Sequence, residues 1–477
     1  PIAPVEGLVR ETYIEANGAR TIQLGFAYCA FDPIQQDAML TFRARMDAVP
    51  RLMPRDTWQF AEDGCSARLS TAAGVGIYEV VYRAKGSPVA GLGLAAIRDF
   101  ASYLRYGAAG ATLRETPAAL RRIIGYGYSQ SGRLLRELVR DGFNADERGR
   151  AAFDALMISS AGAGGGSFNH RFAMPGVAGN SVLSVLRPVD VPPFTDEGLL
   201  ARAQTAGVTP KIFYTFTSTE YWARAGSLTH TSDDGQMDAP LAATSRLYFL
   251  AGTPHSSGQL SLAGGRRGSA YRHFTNFAQQ RWVARALLLD LDAWVRHESA
   301  PPPSQYPSIA KGELVLLKDV SFPAAPSFPF AAYMPQVWRM DYSSEPPRIG
   351  APYPILVPQV NADGNDVSGI RLPEVAVPLG TYTGWNVTIP QLSEMRFLSG
   401  LVGGFEPFPM TKEQREQSGD ARLSIAERYR GRQDYLDRAK RAADDLVRQR
   451  FLLDEDVPAV MQRAEQIWNA VVSGGTR

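Results

Sequence analysis

Apolar positions along this chain change their period several times, and the changes divide it. In the first 45 residues, Leu8-Val9-Arg10-Glu11-Thr12-Tyr13-Ile14 and Thr21-Ile22-Gln23-Leu24-Gly25-Phe26-Ala27-Tyr28 read as strands on either side of the turn signal Asn17-Gly18, a pattern of antiparallel sheet. Ile77–Tyr82 is a further strand, followed by the Gly-rich loop Lys85–Gly93 and a helix around Ala95–Leu104. Short apolar runs then alternate with helical periodicity. Strands are predicted at Ile123–Tyr126, Ala155–Ile158, Lys211–Phe216 and Arg246–Leu250, and helices from Arg133 and over Phe277–Val295. Such alternation predicts an α/β fold, a mostly parallel sheet covered by helices on both faces.

Where periodicity fades, other structure is expected. Gly162–Pro210 is rich in Gly, Pro and Ser, and a stretch of that length without a clear period reads as a lid insertion. Pro301-Pro302-Pro303 marks a boundary, after which 311–400 reads as strands and turns and 411–472 as helices. The expected organisation is an N-terminal strand-rich part of the sheet over 1–75, a core over 76–300 with the lid at 162–210, and a C-terminal strand-plus-helix extension over 311–477. The extension is expected to cover the pocket mouth or to make an oligomer contact, so a homo-oligomer stays open.

Composition narrows the partners. The 477 residues carry 50 basic and 48 acidic side chains with no long block of one sign, which gives no reason to expect nucleic acid or an anionic membrane. No apolar run reaches the length of a membrane span, and the opening residues lack the order of a signal peptide. A soluble product is expected, with secreted, periplasmic and cytoplasmic locations all open. Cys29 and Cys65 suit either one bridge or two buried thiols, and two cysteines are too few for zinc. Asn361-Ala362-Asp363-Gly364-Asn365-Asp366 opens like a calcium loop. It lacks Gly at the sixth position and has Leu372 at the twelfth, so it reads as a hairpin turn; no metal and no cofactor are expected.

The chemistry centres on Gly127-Tyr128-Ser129-Gln130-Ser131-Gly132, placed between an apolar run and the amphipathic Arg133–Val139. A strand, a sharp turn and a helix form a nucleophile elbow when small residues flank the nucleophile by two positions, because the two backbones approach closely there. Gly127 and Ser131 satisfy that for Ser129, whereas Ser131 as nucleophile would put Arg133 at a small-residue position. In alpha/beta hydrolases nucleophile, acid and histidine follow successive strands. Here Glu220 follows the strand ending at Phe216 and His255 follows the one ending at Leu250. His255 would take the serine proton and Glu220 would orient the imidazole, with Asp233, Asp234 and Asp238 ranked behind Glu220. The Gln130 N–H is the expected oxyanion donor, and a second donor is sought in Lys85–Gly91. Tyr128, His170 and Arg171 are candidates for substrate binding.

Long stretches of the chain resemble a family of large bacterial alpha/beta hydrolase domain proteins. They include Tyr128-Ser129-Gln130-Ser131-Gly132-Arg133, Gly166-Ser167-Phe168-Asn169-His170-Arg171-Phe172, Ser218-Thr219-Glu220-Tyr221-Trp222 and Thr381-Tyr382-Thr383-Gly384-Trp385-Asn386. The resemblance implies an alpha/beta-hydrolase core and a serine nucleophile at Ser129, without fixing a substrate. Where the family has Gly-Trp before the serine this chain has Gly127-Tyr128, and where it has Gln before the histidine this chain has Pro254. The resulting expectation is a serine esterase that cleaves a small-molecule carboxylic ester through an acyl-enzyme. An acyltransferase, an amide or urethane hydrolase with the same triad, and a non-catalytic binding protein on this fold are the alternatives.

Overall fold

The computed structural model describes the chain except residues 1–4, 16–17, 25–27, 88–90, 108–121, 167, 169–171, 173–190, 263–270, 332, 345–347, 388–397, 400 and 474–477. Its N-terminal part builds two antiparallel sheets from β1 (Glu6–Glu15), β2 (Thr21–Gln23), β3 (Met39–Arg43), β4 (Arg51–Leu52), β5 (Trp58–Phe60), β6 (Ser66–Leu69) and β7 (Gly76–Lys85). One sheet runs β1-β7-β3-β4 and the other β2-β6-β5. The two opening strands are antiparallel elements as expected, yet they do not pair with each other. β1 lies along the whole of β7, from Glu6 opposite Lys85 to Glu15 opposite Gly76. A division at residue 75 therefore cuts this sheet, and among the described residues neither sheet is hydrogen-bonded to the parallel one. Cys29 and Cys65 are joined by a disulfide within this part. Its core of Val9, Ile22, Trp58, Tyr78, Val80 and Tyr82 also takes in Phe172 from the expected lid.

After helix α1 (Leu92–Tyr106) come β8 (Ile124–Tyr128), α2 (Gln130–Arg140), β9 (Ala155–Ser159), β10 (Lys211–Thr217), the short helix α3 (Ser218–Ala223), β11 (Ser245–Leu250) and α4 (Arg281–His297). The four strands form a parallel sheet in the order β11-β10-β9-β8. Period-two alternation places their side chains on two buried faces. Leu156, Ile158, Tyr214, Phe216, Leu247 and Phe249 pack with Leu135 and Leu138 of α2. Their neighbours Ala155, Met157, Phe213, Tyr248 and Leu250 pack with Trp282, Leu287 and Trp294 of α4. Each large apolar side chain so buried contributes about 1.5–3 kcal/mol. Double burial explains why these strands read as continuous apolar runs.

Register fixes where chemistry can sit. Tyr128 lies opposite Ser159, Ser159 opposite Thr215, and Thr217 opposite Leu250. The carboxyl ends of the four strands are thus level, and the residues that follow them emerge along one edge.

The C-terminal extension packs on both faces. Trp385 stacks on Phe328 with centroids 5.3 Å apart and meets Trp222 of α3 at 5.8 Å. Helices α5 (Arg432–Arg448) and α6 (Val457–Trp468) add Leu446 and Val460 to the core over α4. Single parallel bridges, Tyr248 with Gln305 and Leu250 with Ile370, extend the sheet beyond β11. The segment 361–366 is a tight turn, closed by the Asn361 N–H on the Asn365 carbonyl at 2.9 Å. Its two sides pair as a short hairpin at the antiparallel bridge between Val360 and Asp366, beyond which Leu356–Pro358 pairs with Leu314–Leu316 and Ile370 joins β11. Among the described residues no helix is long and apolar enough to cross a membrane, and no group of three His, Cys, Asp or Glu could hold a metal ion.

Behind α3 the fully buried His230 ring nitrogen Nε2 meets the Tyr221 hydroxyl at 2.9 Å. Burial lowers its pKa to about 4. Between the unfolded value near 6.5 and that folded value only the unfolded chain takes up the proton, so the stabilisation is complete above about pH 6.5 and is lost as pH falls towards 4. Relative to a His230→Asn variant, the unaltered protein should lose about 2 kcal/mol of unfolding free energy between about pH 7.5 and pH 5. Urea unfolding of both proteins at the two pH values measures this, and a constant difference between them would refute it.

Candidate active site

The elbow between β8 and α2 is built by close approach. Ser129 sits at φ 58°, ψ −117°, a conformation that non-glycine residues adopt only under constraint. Its N–H donates to the Ser159 carbonyl at 2.8 Å, and its carbonyl accepts from Arg133 at 3.0 Å, which starts the helix. A Cβ on Gly127 would lie 2.5 Å from the Ser131 carbonyl oxygen, and one on Gly132 would lie 2.9 Å from that of Ser159. The Ser131 hydroxyl closes the turn on Tyr128, donating to its carbonyl at 2.8 Å and accepting from its N–H at 3.1 Å. Ser131 is thus a structural member of the elbow, and Ser129 is the serine at its tip.

Residues distant in the chain meet this tip. His255 Nε2 is 2.9 Å from Ser129 Oγ, and His255 Nδ1 is 2.6 Å from Glu220 Oε1. Glu220 is completely buried and His255 is 4% exposed, so water does not screen their contact. Glu220 holds its place as the third residue of α3. Its Oε2 accepts from the N–H of Thr217 at 2.6 Å and from the Thr217 hydroxyl at 2.5 Å, while Thr217 caps the first turn in return. One carboxylate oxygen therefore closes the helix and leaves the other for the imidazole. The second-ranked carboxylates lie elsewhere. Asp238 accepts from the N–H groups of Ile309 and Ala310 at 2.8 and 3.0 Å, and Asp234 belongs to an exposed turn with Ser232.

The histidine loop is held from several sides. The His255 N–H donates to Thr219 Oγ1 at 3.0 Å, and the Ser218 N–H donates to the Thr253 carbonyl at 3.0 Å. Tyr128, expected among the substrate contacts, donates its hydroxyl to the His255 carbonyl. Burial, followed by the charge of Glu220, raises its phenol pKa. Gln280 Nε2 reaches the carbonyls of Pro254 and His255 at 2.9 and 3.0 Å and the Tyr128 hydroxyl at 3.2 Å. A cavity of about 360 Å³ lies beside this loop, lined by Tyr126, Tyr128, His255, Gln280 and Leu287. Gln130 opens α2 immediately after Ser129. His170 and Arg171 lie outside the described residues, as does part of the Lys85–Gly91 loop searched for a second oxyanion donor; its strand, β7, belongs to the N-terminal sheet.

Sequence reasoning did not reach Thr219, Gln280 or Tyr128 as supports of the histidine loop. Thr217-Ser218-Thr219-Glu220 does carry a readable signal, the Thr-x-x-Glu capping pattern at the end of an apolar strand. Gln280 carries none, since a glutamine ahead of an amphipathic helix reads as solvent-facing.

A family model described as an alpha/beta hydrolase domain matches residues 60–462. No curated protein and no solved structure matches the chain. The matched span covers the parallel sheet, the elbow, the segments that carry Glu220 and His255, and most of the C-terminal extension. This chain belongs to the alpha/beta hydrolase domain family.

Proposed function

We propose that the protein is a serine hydrolase that cleaves a carboxylic ester through an acyl-enzyme, with Ser129 as nucleophile, His255 as general base and acid, and Glu220 as the orienting carboxylate. The unbroken chain of hydrogen bonds from Ser129 Oγ through His255 to the buried Glu220 supports this reading. A serine hydroxyl is a weak nucleophile until a base accepts its proton. As the Ser129 Oγ–carbon bond forms, the Oγ proton passes to His255 Nε2 and the carbonyl electron pair moves onto oxygen. The resulting oxyanion lies at the N-terminus of α2, where the Gln130 N–H is the donor assigned to it. Glu220 keeps the proton on Nδ1 of the neutral imidazole and stabilises the imidazolium. Collapse expels the alcohol with the proton from Nε2, and water repeats the sequence on the acyl-enzyme to release the acid.

A fluorophosphonate should add a single adduct to the purified protein, located at Ser129 by peptide mass mapping and absent from Ser129→Ala and His255→Ala. An unlabelled parent would move the binding-protein reading ahead. Glu220→Gln should retain the fold and lower kcat on p-nitrophenyl acetate by about 10³–10⁴-fold, the effect of presenting the wrong tautomer; an unchanged kcat would remove Glu220 from the mechanism. Product analysis in the presence of hydroxylamine separates hydrolysis from acyl transfer. Acid as the main product at low hydroxylamine concentration is the hydrolase outcome, and dominant hydroxamate is that of an acyltransferase.

A further inference from the structure

From the C-terminal extension, two buried groups reach the loops that carry Glu220 and His255. Asp366 Oδ2 accepts from the N–H of Gly252 at 2.7 Å. Gly252 has φ +63° and stands at the turn between β11 and His255, and a Cβ there would lie 3.0 Å from both methyl carbons of Val375, also in the extension. The carbonyl of the same Gly252 accepts from Asn276 Nδ2 at 2.7 Å, and that amide also donates to the Thr383 carbonyl at 3.0 Å. The second group is the Gly384 carbonyl. It accepts from Thr219 Oγ1 at 2.6 Å, and the same Thr219 oxygen accepts from the His255 N–H at 3.0 Å. A Cβ on Gly384 would collide with the backbone of Ser218 and Thr219, so the extension lies directly against the first turn of α3. Asp366, Thr219 and Gly252 are all buried, which leaves water no way to substitute for these bonds.

We infer that the segment Asp366–Gly384 is a positioning clamp for His255, acting through Asp366 on the Gly252 amide and through Gly384 on Thr219. The clamp fixes the peptide on each side of the turn that presents the imidazole, so that Nε2 meets Ser129 while Nδ1 stays on Glu220. Misplacing a reacting group by about 1 Å can lower a rate about 10²-fold without any loss of chemistry. None of these residues touches the reacting atoms; they are positioning residues. The inference rests on the serine hydrolase reading, and its test is arranged so that the two can fail separately.

The experiment is fluorophosphonate titration of the full chain followed by kcat and KM on p-nitrophenyl acetate, with rates expressed per titrated site. Asp366→Ala and Thr219→Val should each lower kcat per site about tenfold or more while KM stays within about threefold. Asp366→Asn keeps a carbonyl acceptor for Gly252, and Thr219→Ser keeps the bridging hydroxyl; each should remain within about threefold of the parent. A purely structural role would lower the number of titratable sites and the melting temperature and leave kcat per site unchanged, and that result overturns the clamp. So does a loss in Asp366→Ala that Asp366→Asn does not restore. Should Asp366→Ala fail to fold, the near-isosteric Thr219→Val and its Ser control decide the question alone. A parent that labels at Ser129 alongside variants of equal rate overturns the clamp and leaves the hydrolase reading standing, whereas a parent that never labels removes both.

Discussion

The contact on which the rest of the structure depends is the one between the Glu220 carboxylate and the His255 imidazole. A carboxylate removed from water loses several kcal/mol of solvation unless hydrogen bonds and charge replace it. Glu220 is fully buried, and every donor near it is fixed by another element: Thr217 at the end of β10, and His255 on the loop after β11. Because β10 and β11 are paired in parallel with Thr217 opposite Leu250, the two loops leave the sheet at the same level and can reach each other. The sheet register is therefore part of the site. A slip of one residue would turn the inward side chains of a strand to the opposite face and separate the partners.

The same logic accounts for the size of the chain. A four-stranded parallel sheet ends at an edge whose backbone groups need partners. On the β11 side these come from Gln305 and Ile370, residues beyond the helix that closes the core. The strand-to-loop turn at Gly252 has its N–H and carbonyl both satisfied by side chains, Asp366 and Asn276. The extension thus supplies one of these partners, Asp366, to a turn that lies close to His255, while the other, Asn276, comes from the core. A module that merely covered a pocket mouth would have no need to reach under the turn.

How much of this was legible follows from the range of the interactions. The parallel strands and their order of chemistry could be read because each is local: a doubly buried strand is a continuous apolar run, and the elbow is a small-residue pattern over a few positions. Glu220 and His255 could be singled out as candidates because chain order and strand ends carry them. The partner of β1 was not legible. The Asn17-Gly18 turn signal points to β2, but full-length pairing with β7 buries Val9 and Tyr82 in one core, and burial outweighs a local turn preference. The bond from Tyr128 to the histidine loop was not legible for a similar reason, since a tyrosine beside an elbow looks the same from the sequence whether or not its hydroxyl meets a backbone carbonyl. Asn361–Asp366 read as a hairpin turn, and an antiparallel bridge between Val360 and Asp366 closes it, yet its last two side chains leave the turn. Asn365 accepts from the Tyr382 N–H at 2.7 Å, and Asp366 holds Gly252. Nothing in a polar hexapeptide reveals which of its side chains is buried.

Asp366 also shows why such a group is not simply a stabilising contact. Burial pushes its carboxyl up to about 6, against the pull of the Gly252 amide and the Ser218 hydroxyl towards the ionised form. With the folded pKa raised above its unfolded value, its contribution to stability is full only below about pH 4 and declines as pH rises through 6. Holding it ionised at neutral pH thus costs on the order of 3 kcal/mol relative to a carboxyl in water. An apolar residue of similar volume would escape that cost but could accept nothing from Gly252. A buried donor without an acceptor costs about 1–3 kcal/mol, and the turn before His255 would be free to rotate its peptide away. The carboxylate is therefore a poor choice for stability alone and a good one for fixing an amide. The amide that it holds, that of Gly252, stands just ahead of His255 in the chain, which gives that rigidity a use.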